Sequence, residues 1–244
     1  MPFGFPNRFR STKPKALPPQ FQGTRPLSSS LFTSTRTMAT PKKPSEPAQT
    51  QAQTDPPSFS SLGIRNTAIN GAPGVQLSPH QKLVIGSVLD LFEGNPTLAH
   101  FRLWSPDAVF EDPITRAVGE AKYKAQWYGL PALFSPIKLQ AHTVVDGGNP
   151  IRLEVSNRYV VRGIGKAHVI DSVVNIQIGE DGRIEKVQDR WNDKLPDGVV
   201  VDTFRKLNAV TVPLVITVPK TEEEDWEMQA ARDEERQAAD EQKK

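Results

Sequence analysis

Two aspartates lie where a carboxyl group could move a proton on a small molecule. Asp112 precedes Pro113, so a turn would leave its carboxylate partly exposed, as a general base requires. Asp171 lies in a stretch rich in valine and isoleucine, residues 169–174. If Asp171 points into an apolar cavity, desolvation raises its pKa and keeps it neutral. A neutral carboxyl donates a hydrogen bond, so this pair predicts a base and a donor to a developing oxyanion.

Each aspartate also has a purely structural interpretation. An aspartate before proline commonly bonds nearby backbone amides in a turn. A strand carboxylate at position 171 could equally pair with Arg158 or Arg190. The sequence leaves both interpretations open.

Four further residues are candidates for the wall of a ligand pocket. Trp127, Tyr128 and Trp191 offer large aromatic surfaces, although aromatic residues on a short helix also serve as core. His142 is a candidate acid or base on an alternating stretch, with an exposed or structural histidine as the alternative.

Composition excludes several classes of site. The chain has no cysteine, so disulfides, thiolate metal sites and a cysteine nucleophile are excluded. The four histidines lack metal-ligand spacing, and no glycine-rich phosphate loop is present, so we expect neither a metal nor a cofactor. Residues 77–220 carry seventeen basic and sixteen acidic residues, a balance that argues against nucleic-acid binding. No apolar run reaches the roughly 20 residues of a membrane span.

Helices are predicted before the β-rich part of the chain. Ser78 can cap a helix that begins at Pro79, and Gln81 completes a capping box. Apolar residues then recur at helical spacing as far as Phe92. A second, short helix is predicted around residues 98–104, and glycines bound a third at Gly119–Gly129.

Strands are predicted by alternation of apolar and polar residues and by glycine turns. The first is short, and four longer ones follow: Asp107–Asp112, Ile137–Asp146, Ile151–Arg162, Lys166–Ile178 and Arg183–Trp191. A hairpin turn joins the last two at residues 179–182. This order predicts an α+β domain in which helices pack on one face of an antiparallel meander.

Short motifs in this order resemble the SnoaL-like and ketosteroid-isomerase-like branch of the NTF2-like superfamily over about residues 78–195. They are Phe110-Glu-Asp-Pro113, the strand ending Val169-Ile-Asp171, and the hairpin Asp181-Gly-Arg-Ile184 that runs into Asp189-Arg-Trp-Asn-Asp193. The resemblance implies an NTF2-like cone, in which three amino-terminal helices pack on a strongly curved antiparallel sheet. It also implies a homodimer.

The same resemblance assigns roles to the two aspartates. Asp112 corresponds to the catalytic base of the isomerases, and Asp171 corresponds to the aspartate of their oxyanion hole. The tyrosine that completes that hole corresponds to about Val88, which cannot donate a hydrogen bond. The isomerase pattern is therefore incomplete in this sequence.

The amino-terminal region has the composition of a targeting segment. Residues 1–45 contain eight basic residues and no acidic one, which is typical of a mitochondrial transit peptide. Met38 opens a second candidate start, which would yield a cytoplasmic form. A single native amino terminus near Met1, found by sequencing, would exclude both processing and the second start. Residues 46–76 are predicted to be a disordered linker.

The carboxyl-terminal region lies beyond the resemblance. The SnoaL-like domain is expected to span residues 77–198, followed by an apolar extension at 199–220 that must be buried against the domain or a second subunit. Residues 221–244 hold ten acidic and four basic residues. They predict an acidic helical tail, with a solvated tail as the favoured interpretation.

Three functions remain open from sequence. The first is a pocket that takes a small apolar or carbonyl-bearing ligand, with cofactor-free proton transfer of the isomerase or lyase type and Asp112 as base. The second is a non-catalytic scaffold or adaptor module in mitochondria. The third is a domain that binds a ligand without converting it. Fold alone does not separate them.

Overall fold

A computed structural model describes residues 56–192, 202–203 and 216–241. The predicted transit peptide lies outside these residues, as does most of the apolar extension. The helices are α1 (Pro79–Phe92), α2 (Glu120–Leu133) and α3 (Glu222–Glu241), with one turn of 3-10 helix at His100–Leu103. The strands are β1 (Trp104–Glu111), β2 (Arg116–Val118), β3 (Phe134–Asp146), β4 (Ile151–Val161), β5 (Ala167–Ile178) and β6 (Ile184–Trp191).

Helix α1 begins and ends as the sequence predicts. The Ser78 hydroxyl accepts a hydrogen bond from the Gln81 backbone N–H at 3.2 Å, and the Gln81 side chain accepts one from the Ser78 N–H at 2.9 Å. This is the predicted capping box. Beyond the helix, Gly94 has φ +70°, and a Cβ there would lie 2.8 Å from Ile137. Only glycine fits that turn, and it seats the end of α1 against β3.

The six strands form one mixed sheet in the order β2-β1-β6-β5-β4-β3. Strands β3 to β6 form the predicted antiparallel meander. Strand β1, however, pairs in parallel with β6, and β2 pairs antiparallel with β1. The prediction of a purely antiparallel sheet was therefore wrong at this edge. The parallel pair arises because the chain leaves β1, crosses the sheet through α2 and returns along the meander.

Long strand β3 is irregular along its pairing with β4. The register shifts at three places between Phe134 and Asp146. Such bulges bend a strand and increase its twist. They allow the sheet to curve around α1 and α2, which cover the same face.

The α+β class is confirmed, and the third predicted helix corresponds to α2, but three helices ahead of the sheet are not confirmed. Within residues 56–192, α1 and the 3-10 turn precede the sheet, while α2 follows β2. Trp104, expected in the second helix, opens β1 instead. Its side chain is 2% exposed, because a β-strand there turns it into the aromatic core beside Phe101 and Tyr123.

Part of the predicted linker belongs to the domain. Leu62 and Ile64 are buried in the core, and the backbone amides of Arg65 and Asn66 donate to the carboxylate of Asp90 at 2.8 and 3.0 Å. Because the segment is mostly polar, its composition did not predict these few apolar contacts.

Helix α3 lies on the domain, contrary to the interpretation of residues 221–244 as a solvated tail. Asp225, buried at its start, accepts from the Tyr128 hydroxyl at 2.7 Å and from the Leu98 N–H at 2.6 Å. Farther along, Arg232 donates to the Pro96 carbonyl at 2.8 Å. Arg236 donates to the carbonyls that follow α1. Cations suit the carboxyl end of a helix, so α3 satisfies groups that α1 leaves unpaired.

Replacement of Asp225 by alanine tests this docking. Two donors, the Tyr128 hydroxyl and the Leu98 N–H, would lose a charged acceptor, so we expect the free energy of unfolding to fall by about 2 kcal/mol. Glu227→Ala, at an exposed position of the same helix, should change it by less than about 0.5 kcal/mol. Urea unfolding of the full chain measures both, and equal effects would show that the Asp225 contacts do not hold the helix.

Candidate functional site

One cavity lies between the inner face of the sheet and helices α1 and α2. The space among its walls that no atom fills is about 360 Å³, a volume that includes solvent at the open mouth. The cavity itself is narrow, with about 20 Å³ open to the centre of a water-sized sphere. Its walls come from six elements: Phe92, Phe110, Asp112, Gln126, Trp127, Leu130, Tyr159, Ile170, Asp189 and Trp191. Of these, only Asp112 and Trp191 are partly exposed, so they mark the mouth.

Asp112 stands at the mouth, directly after β1. One carboxylate oxygen accepts from the Ile114 backbone N–H at 2.8 Å, and the Asp112 and Thr115 backbones bond each other across the turn. The predicted turn role is therefore present, yet the carboxyl also lines the cavity. Burial raises the pKa of Asp112 to about 6, although the hydrogen bonds from Ile114 and Thr115 oppose the shift.

Asp189 projects from β6 into the cavity and is 7% exposed. Its Oδ2 accepts from the indole N–H of Trp191 at 2.8 Å. Burial raises the pKa of Asp189 to about 7; the Ser172 and Trp191 side chains lower it, and the nearby charge of Asp112 raises it further. The charge of Asp112 therefore disfavours ionisation of Asp189.

A tyrosine from β4 completes the polar part of the cavity. The hydroxyl of Tyr159 accepts from the Asn157 amide at 3.0 Å, and that amide also donates to the Phe92 carbonyl at 2.6 Å. Burial and the charges of Asp189 and Asp112 raise the pKa of Tyr159. Tyr159 therefore stays protonated and supplies the kind of donor that Val88 cannot.

Asp171 does not share the cavity. In β5 the side chains of Ile170 and Ser172 are buried, while Asp171 between them is exposed. Successive strand residues point to opposite faces, so the apolar neighbours in sequence do not surround Asp171. The second carboxyl of the site is Asp189, which the sequence analysis named only as part of a family motif.

Two of the four predicted wall residues also lie elsewhere. Tyr128 is buried under α3 against Asp225. His142 accepts from the Asn70 backbone N–H at 3.1 Å, and burial lowers its pKa. Trp127 and Trp191 do line the cavity.

The alternation of inward and outward residues along the strands is the sequence pattern that selects the two residues missed by the sequence analysis. Val187, Asp189 and Trp191 lie at every second position of β6, and Val187 is fully buried. Tyr159 occupies an inward position of the strictly alternating β4. Strict use of the two-residue period would therefore have selected Asp189 and Tyr159.

Among residues 56–192, 202–203 and 216–241, no three histidine or acidic side chains come close enough to share a metal ion. Within the same ranges, no helix combines the length and apolarity that crossing a bilayer requires.

Comparisons with known proteins relate the chain to one family. Residues 89–187 match the model of the SnoaL-like domain. Similar solved structures include an NTF2-like protein of unknown function from an Exiguobacterium species, with 15% identity and a TM-score of 0.39 over 46% of this chain and 99% of that one. No curated protein matches the sequence.

Two further solved structures are similar over a comparable span. A protein named as a SnoaL-like polyketide cyclase from Shewanella denitrificans has 15% identity and a TM-score of 0.42, over 52% of this chain and 97% of that one. A protein with a ketosteroid isomerase-like fold from Catenulispora acidiphila, in complex with trimethylamine, has 12% identity and a TM-score of 0.38. That match covers 43% of this chain and 82% of the other.

The pH dependence of stability tests the burial of Asp189. A carboxyl whose pKa is raised by folding binds its proton more tightly in the native state, so its contribution is greatest below about pH 4 and is lost as pH rises through about 7. We expect Asp189→Asn to be roughly 4 kcal/mol more stable than the wild type at pH 8 and nearly equal to it at pH 4.

Urea unfolding across this pH range measures the difference, and Asp171→Asn is the matched control. Because Asp171 is exposed, its variant should follow the wild type at every pH. A stability difference for Asp189→Asn that does not change with pH would contradict the burial of an ionisable carboxyl.

Proposed function

We propose that this chain, which carries a SnoaL-like domain at residues 89–187, binds a small carbonyl compound in its cavity and transfers a proton on it. The observation that carries the proposal is the pair of interacting carboxyls, Asp112 and Asp189, in one apolar cavity. Titratable groups with strongly perturbed pKa values in a cleft are typical of catalytic sites.

The two carboxyls suit different roles because their surroundings differ. Asp112, at the mouth with a pKa of about 6, is mostly ionised at neutral pH, so it can accept a proton from carbon. Asp189, deeper and with a pKa of about 7, keeps its proton in a larger fraction of molecules. Ionisation of one also disfavours ionisation of the other. The state with Asp112 charged and Asp189 neutral is therefore the reactive one.

The proposed step is enolisation. Asp112 removes a proton from the carbon beside the carbonyl, the electrons of that C–H bond form a carbon–carbon double bond, and the carbonyl oxygen gains negative charge. Asp189 and Tyr159 would donate hydrogen bonds to this oxygen. Asp112 then returns the proton to the same carbon or to another one. Donors of this kind contribute about 10²–10³ in rate.

Aromatic and aliphatic walls determine which molecules would enter. Phe92, Phe110, Trp127 and Leu130 favour an apolar ring, and the narrow cavity favours a flat one. Trp191 is partly exposed, and rotation of its ring would widen the mouth.

Exchange of carbon-bound protons for deuterium tests the proposed base. Indanone, a flat bicyclic ketone, is the probe, and ¹H NMR in D₂O follows the protons beside its carbonyl. The full-length wild type should accelerate exchange over buffer, and Asp112→Asn should lower that acceleration by about 100-fold or more.

Asp171→Asn is again the matched control, because it alters an aspartate on the opposite face of the sheet, and it should exchange at the wild-type rate. Undiminished exchange by a folded Asp112→Asn variant would refute the role of Asp112. If indanone bound without any acceleration by the wild type, a binding module or scaffold would replace the enzyme as the better account.

A further inference from the structure

Gln126, like the indole N–H of Trp127, is a buried polar group of the cavity wall that the proposed reaction does not use. It lies on α2, lines the cavity and is 4% exposed. Its Oε1 has no hydrogen-bond partner among the residues that the structure describes. By contrast, the amide nitrogen of Asn157 has two acceptors.

An unpaired buried acceptor is unfavourable. Burial of an amide oxygen without a hydrogen bond costs on the order of 1–3 kcal/mol, and apolar residues such as leucine would fill the same volume without that cost. Native proteins leave few such groups, and those they leave commonly have a function. Gln126 faces a cavity, so a bound molecule can supply the missing partner.

Gln126 and the two carboxyls belong to different elements of the cavity wall. Asp112 and Asp189 belong to the edge formed by β1 and β6, whereas Gln126 belongs to the helix that covers the sheet. The side chains that line the space with them are mainly apolar, including Phe110 and Leu130. A ligand whose carbonyl lies against Asp112 and Asp189 would therefore offer a second polar group to Gln126.

We propose that Gln126 binds a hydroxyl group of the ligand, so that the substrate class is a flat hydroxylated ketone with its hydroxyl remote from the carbonyl. An amide carries an acceptor on one edge and donors on the other, and a hydroxyl can both donate and accept. A ligand carboxylate fits less well, because Asp112 and Asp189 would repel it. This inference rests on the proposed function and specifies its substrate.

Sites built to bond a substrate hydroxyl discriminate strongly against the analogue that lacks it, because their buried polar group is then left unpaired. The probes are therefore indanone and its singly hydroxylated isomers. Quenching of tryptophan fluorescence reports binding, since Trp127 and Trp191 line the cavity. For the full-length wild type we expect one isomer to bind about tenfold or more tightly than indanone.

The variant Gln126→Leu should abolish this preference, because leucine removes the amide but keeps an apolar wall. Gln140→Leu is the matched control; Gln140 is exposed on β3, so its variant should keep the wild-type preference. A preference that survives in a folded Gln126→Leu variant would overturn the assignment to Gln126.

Binding of indanone and its hydroxylated isomers to the wild type tests the hydroxyl inference even if Gln126→Leu fails to fold. If no isomer binds more tightly than indanone, while Asp112 still accelerates exchange of indanone protons, the hydroxyl inference is overturned and the proposed function stands. If neither indanone nor any isomer binds, both are overturned.

Discussion

The structure depends on the burial of two carboxyl groups, those of Asp112 and Asp189, in one apolar cavity. They are far apart in sequence and meet because β1 and β6 pair in parallel, with Phe110 opposite Val187 and Glu111 opposite Gln188. The next step of this register brings Asp112 to the level of Asp189. Burial disfavours the charged form of each carboxyl, so the fold raises the pKa of Asp112 to about 6 and that of Asp189 to about 7.

The rest of the domain holds this unfavourable pair in place. Trp191 bonds Asp189, the turn amide of Ile114 bonds Asp112, and helices α1 and α2 keep water from most of the cavity. Helix α3 packs on the outside of this layer, and its Asp225 accepts a hydrogen bond from Tyr128 of α2. The free-energy cost of such a polar site is commonly offset by surrounding contacts of this kind. The carboxyl-terminal helix therefore stabilises the scaffold on which the site is built.

Local signals predicted most of the fold, and non-local pairing explains the errors. The capping box at Ser78 and the alternating strands were correct because they depend on neighbours in sequence. The parallel pairing of β1 with β6 could not be predicted, since no local sequence pattern specifies it. For the site, the resemblance of the Glu-Asp-Pro motif selected Asp112, and Asp112 does line the cavity. The prediction that Asp171 lies in the cavity was wrong, because its apolar neighbours along the strand lie on the opposite face. The two-residue period of β6 instead places Asp189 on the inner face.

The most direct test of the shared carboxyl pair is the titration of its two side chains. ¹³C NMR of the aspartate carboxyl carbons, assigned through Asp112→Asn and Asp189→Asn, gives both midpoints in the full-length protein. The account predicts midpoints near 6 for Asp112 and near 7 for Asp189, with Asp112→Asn lowering the midpoint of Asp189 because a like charge has been removed. Two independent titrations near pH 4, the ordinary value for aspartate, would contradict a buried and interacting pair.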